Sequence, residues 1–99
     1  MAEHPLKTLQ EMDPVFMKHV QDSDELIFAS GALPKKIKLL IAMAFDAAQG
    51  AEMGVRSLAA AAQREGASKQ EIAEALRVAC HLSGVGSLYT ASAGLKDLF

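Results

Sequence analysis

The chain has 99 residues, 51% of them apolar and only 5% aromatic, with a formal net charge of −2 and a single cysteine, Cys80. That length gives room for one domain, residues 1–99, which at this size hides only about 60 to 65% of the surface its unfolded form exposes. The charge balance carries no general attraction to nucleic acid or anionic membrane, and a lone cysteine excludes an intrachain disulfide and a cysteine-only metal cluster, so a soluble, cytoplasmic protein is expected.

Met1 to Leu9 holds no apolar leader run, and the longest apolar run, Leu39 to Phe45, is far short of the ~20 residues of a membrane span, so no targeting or anchoring segment is expected. Residues 1–12 mix charged and apolar side chains without a clear period. At Asp13-Pro14 a capping residue precedes the residue best suited to the first helical position, and a helix is predicted to start there. It carries Val15, Phe16, Val20, Leu26 and Ile27 toward a buried side, with the acidic run Asp22-Ser23-Asp24-Glu25 as a candidate break.

Gly31-Ala32-Leu33-Pro34 reads as a connector, because Gly31 can stop a helix and Pro34 disfavours helix at Leu33 while opening the next one. The helix that follows runs to about Gln49. Ile37, Leu40, Ile41, Ala44 and Ala48 keep the helical period, and Leu39, Ala42, Met43 and Phe45 fill the remaining faces. A helix apolar nearly all round needs cover nearly all round, which predicts a second subunit against it.

Gly50 closes that helix. Ala51 to Glu65 forms the next, with Val55, Leu58, Ala59 and Ala62 on one stripe and Gly66 as its stop. Ser68-Lys69-Gln70-Glu71 matches the capping box, in which serine and glutamate satisfy each other's backbone amides. The helix it opens carries Ile72, Ala75, Leu76, Ala79 and Cys80 and ends near Ser83-Gly84. A terminal helix is predicted over Ser87 to Leu98. No period-two alternation occurs, so no strands are expected.

Three segments in this order, Gly31 to Ala42, Gly50 to Leu58 and Gly66 to Leu76, resemble the carboxymuconolactone decarboxylase and alkyl hydroperoxidase D family over about Phe28 to Leu95. The resemblance implies a compact all-α fold with a central antiparallel helix pair, assembled as trimers or hexamers. It also implies peroxiredoxin-type or lactone-decarboxylase activity. The redox branch of that family uses a Cys-x-x-Cys pair, which falls here on Ala51 and Gly54. Its histidine falls on Leu58 and its glutamate on Leu39, so every matched reactive position holds an inert side chain. The histidine of the decarboxylase branch also falls near Leu58.

With those positions vacated, the remaining catalytic candidates are Cys80, His81, Glu52 and Arg56. Cys80 and His81 are adjacent on a helix and point roughly 100° apart, so they do not form a nucleophile and base pair with each other. Glu52 and Arg56 have the spacing of a helical ion pair and, with Asp46, flank the Gly50 turn as a surface pair or a pocket rim. Lys35, Lys36 and Lys38 crowd a helix start, where positive charge is disfavoured; they read as an acidic-ligand site or as solvated side chains. His4 and His19 have no spaced partners, and neither a metal nor a cofactor is expected.

Three function classes follow. One is a homo-oligomeric family member related to thiol-dependent peroxide reduction. A second is a non-enzymatic oligomer that binds a small molecule or serves a structural role. The third, a helix-turn-helix over Ser68 to Thr90, is disfavoured because Arg77 to Gly84 continues the helix where the motif needs a turn. No nucleic-acid or membrane partner is expected.

Overall fold

The computed structural model describes residues 4–99; Met1–Glu3, part of the Met1 to Leu9 stretch in which no leader is expected, lie outside the described residues. Six helices follow in order: α1 (Lys7–Met12), α2 (Pro14–Phe28), α3 (Lys35–Ala48), α4 (Glu52–Arg64), α5 (Lys69–Ser83) and α6 (Gly86–Leu95). Among the described residues there are no strands. The fold is a compact all-α one.

Helix boundaries sit where local backbone chemistry puts them. Asp13 caps α2 by accepting from the Phe16 amide at 3.1 Å, with Pro14 at the first helical position. Gly50, Gly66 and Gly84, at the stops of α3, α4 and α5, have φ of 80°, 94° and 95°, a region that costs glycine nothing and other residues strain. The capping box forms as its sequence predicts: the Ser68 amide donates to Glu71 Oε1 at 2.8 Å, and the Glu71 amide donates to Ser68 Oγ at 3.0 Å.

Glu71 also takes Lys36 Nζ at 2.9 Å, tying the start of α3 to the start of α5. The Ser68 amide first, and Lys36 second, hold the Glu71 carboxyl below its ordinary value of 4.5. A depressed folded pKa means stability present above about pH 4.5 and lost as pH falls through the folded value. The melting temperatures of the wild type and Glu71→Gln should therefore separate above that pH and converge below it. A constant gap from pH 3 to 7 would remove this account.

Several sequence expectations are corrected. A short helix, α1, occupies part of the stretch without a clear period. The acidic run does not break α2, which continues to Phe28; within it Lys18 Nζ pairs with Asp22 Oδ1 at 2.5 Å one turn away. The side of α2 that is buried carries Met17; Val15, Phe16, Leu26 and Ile27 face outward. The last helix begins at Gly86 and stops at Leu95, where Lys96 turns to extended backbone and Asp97 to positive φ. Helix α5 does run unbroken through Arg77 to Ser83.

The core lies among α3 to α6: Leu39, Leu40, Met43 and Ala47 of α3 meet Val55, Ala59 and Ala62 of α4, Ile72 and Leu76 of α5, and Ala91 of α6. Small residues let the helices close up. A Cβ on Gly94 of α6 would lie 2.7 Å from the Glu52 carbonyl oxygen and 3.0 Å from Val55 Cβ, so glycine is what permits the α4–α6 approach.

Beside this core, α2 is an outrigger. It packs against the core chiefly through Phe28, makes light contact with α3 and otherwise lies against α1. The radius of gyration is 14.2 Å, where about 13 Å suits a domain of this length. The accessible surface is 6890 Å², where about 5,400 Å² is expected for a 10.5 kDa monomer. Apolar side chains contribute to this surface: α3's periodic set includes Ile41 and Ala48, yet these and Phe45 lie exposed because α3 turns Leu39, Leu40, Met43 and Ala47 inward.

Candidate functional site

A cleft of about 470 Å³ opens between the end of α2, the start of α3 and the middle of α4. Its floor is Phe28, Leu39, Leu58 and Ala61, all buried or half-buried, and its rim is the exposed side chains of Asp24, Glu25 and Lys35. Its volume is in the range of small-molecule sites. Two of its floor residues, Leu39 and Leu58, are the positions matched to the glutamate and histidine of the redox pattern. The structure brings them together across α3 and α4, but the pair is aliphatic and offers no proton relay.

The lysines near the start of α3 divide by role. Lys36 is held by Glu71, and Lys38 Nζ donates to the carbonyls of Ile27 and Ala29 at 2.9 and 2.6 Å, closing the carboxyl end of α2. Only Lys35 stands on the cleft rim.

At the other end of the α3–α4 contact lies Asp46. A Cβ built on Gly54 would overlap its carboxylate, with Cγ only 2.7 Å away and Cβ 3.3 Å. The half-buried Asp46 thus takes the space a side chain at position 54 would need, beside the first turn of α4, where the helix dipole favours negative charge. A side chain at the position matched to the second cysteine would have to displace the Asp46 carboxylate.

The remaining candidates do not gather here. Arg56 does not pair with Glu52; its Nη1 donates to the carbonyls of Gly94 at 3.2 Å and Lys96 at 2.5 Å, satisfying the exposed carbonyl end of α6. Glu52 is exposed in the first turn of α4. Cys80 is half-buried and His81 exposed on α5, outside the cleft. His4 Nδ1 accepts from the Leu6 amide at 3.1 Å, and the His19 ring tilts against Phe16 at 6.2 Å. Among the described residues, no three His, Cys, Asp or Glu side chains group as metal ligands, and no helix is long and apolar enough to cross a membrane.

The family model for the carboxymuconolactone decarboxylase family matches residues 14–97, nearly the whole described chain. The chain belongs to that family. No curated protein and no solved structure matches it. In this carboxymuconolactone decarboxylase family protein the matched segment takes in α2 through α6, and so every residue of the cleft. In the sequence Leu39 and Leu58 stand out only as vacated positions of the family pattern, and Asp24, Glu25 and Phe28 do not stand out as site residues. The spacing of Asp24 and Phe28, one helical turn apart, was the available signal.

Proposed function

We propose that this chain is a homo-oligomeric, small-molecule-binding member of the carboxymuconolactone decarboxylase family that carries no thiol chemistry at the family site. The observation behind this reading is the cleft itself: aliphatic at Leu39 and Leu58, with its apolar floor open beneath a charged rim. Asp46 reinforces it by standing where a side chain at position 54 would go. In this reading α3 and α4 are the family's central antiparallel pair, the assembly is a trimer or hexamer, and the protein works in the cytoplasm. Peroxiredoxin-type turnover would have to come from Cys80, which lies outside the cleft.

Methyl NMR on the intact protein tests this with three six-carbon probes of different head group: hexylamine, hexanol and hexanoate. At least one should shift the Leu39 and Leu58 methyl resonances saturably, and Ala61→Phe, which fills the floor, should abolish the shifts. In parallel, cumene hydroperoxide with a dithiol should be consumed no faster than in buffer, for wild type and Cys80→Ser alike. Absence of any saturable shift overturns the binding reading, and rapid dithiol turnover overturns the loss of thiol chemistry.

A further inference from the structure

We infer that the cleft between α2, α3 and α4 selects a small cationic amphiphile, a primary alkylammonium whose tail lies on Phe28, Leu39 and Leu58 and whose head meets the carboxylates of Asp24 and Glu25. The inference rests on the cleft being the small-molecule site proposed above and adds the charge of its ligand.

Helical spacing sets each rim charge beside the floor. Residues three and four apart on a helix are neighbours, and side chains lean toward the helix's amino end. Asp24 and Glu25 precede the floor residue Phe28 by about one turn of α2, and Lys35 precedes Leu39 by about one turn of α3. The α4 wall, Leu58 and Ala61, brings no charge. A tail lying on this floor therefore ends at a rim of two carboxylates and one ammonium, a net charge of −1.

Nothing inside the chain neutralises that rim. The cations nearest in sequence are engaged: Lys18 pairs with Asp22, Lys36 with Glu71, and Lys38 with the carbonyls of Ile27 and Ala29. Asp24, Glu25 and Lys35 make no side-chain hydrogen bond or ion pair among the described residues. The helix ends add little to either sign. Lys38 already caps the carboxyl end of α2, and at the start of α3 the Lys35 amide donates to Ser30 Oγ at 3.2 Å while the Ile37 and Lys38 amides donate to the Pro34 carbonyl at 3.0 and 3.2 Å. The side-chain charges thus set the preference. An ammonium has three donors, which two carboxylates can share, whereas a carboxylate head would meet Lys35 alone and be repelled by the other two. Because the rim is exposed, each such contact changes affinity only about two- to fivefold.

Ranking the three six-carbon probes on the full chain tests the selection. At pH 7 and low salt, where hexylamine is protonated and hexanoate is not, hexylamine should saturate the Leu39 and Leu58 methyl shifts at about two- to fivefold lower concentration than hexanol. Hexanoate should need a similar factor more than hexanol. The double variant Asp24→Asn with Glu25→Gln changes two exposed side chains and leaves the floor intact, so its helical circular dichroism should persist while the order of the probes reverses. Hexanol or hexanoate binding the wild type as tightly as hexylamine overturns the cationic selection. An order that the double variant leaves unchanged overturns the part given to Asp24 and Glu25. No saturable shift from any of the three removes the binding reading beneath both.

Discussion

Leu40→Asp is expected to leave no folded subunit, while Ile41→Asp, one residue along the same helix, is expected to leave a folded but dissociated one. Both side chains belong to the apolar helix that the sequence could not orient. Leu40 is 7% exposed inside the core cluster, whereas Ile41 is 45% exposed on the outward side of α3, beside Phe45 and the α5 residues Val78 and Leu82. A buried carboxylate without a partner costs several kcal/mol, against a total stability of about 5–15 kcal/mol for a domain and less for a small one. At Ile41 the carboxylate stays in water in the single subunit, so its cost is confined to the proposed self-association. Thermal circular dichroism and light scattering on both variants check this. Loss of structure in both, or in neither, would remove the distinction between core and contact face.

The second large effect concerns positions 51 and 54. Restoring cysteines there from sequence logic alone predicts a cross-linkable pair at the start of α4, with a thiolate favoured by the helix amides. The structure adds a condition, because the Asp46 side chain already occupies the space at Gly54. Ala51→Cys with Gly54→Cys should therefore fold with the Asp46 carboxylate swung aside, at a cost of about 0.5–1.5 kcal/mol, that of one strained rotamer. Its thiols should react slowly, since a neighbouring carboxylate disfavours a second negative charge. Adding Asp46→Ala should restore stability and raise the rate with a disulfide reagent on the order of tenfold, the equivalent of about one unit of thiol pKa. Equal rates and equal melting temperatures with and without Asp46 would show that the carboxylate does not guard the position. In the unaltered chain, Cys80 should react slowly and alone.

Features set by a few consecutive residues were legible without any structure. Asp13-Pro14, the Ser68 to Glu71 box and the stops at Gly50, Gly66 and Gly84 are matters of backbone donors, acceptors and φ, which depend on neighbours in the chain. Family membership was legible too: the resemblance read over about Phe28 to Leu95 lies within residues 14–97, which the family model matches. The inertness of Leu39, Ala51, Gly54 and Leu58 followed directly from their side chains.

What only the tertiary structure decided was the rotation of each helix about its axis and the neighbour each polar group finds. Apolar side chains cover most of α3, so periodicity could not say that Leu39, Leu40, Met43 and Ala47 turn inward and Ile41 and Phe45 outward. Arg56 had an acidic residue one turn away and still took the carbonyls of Gly94 and Lys96, 38 and 40 residues distant in sequence. The overlap of Asp46 with position 54, and the meeting of Phe28 with Leu39 and Leu58, likewise join separate helices. Local sequence determines where a helix begins and ends, whereas its facing depends on the shape of everything it packs against.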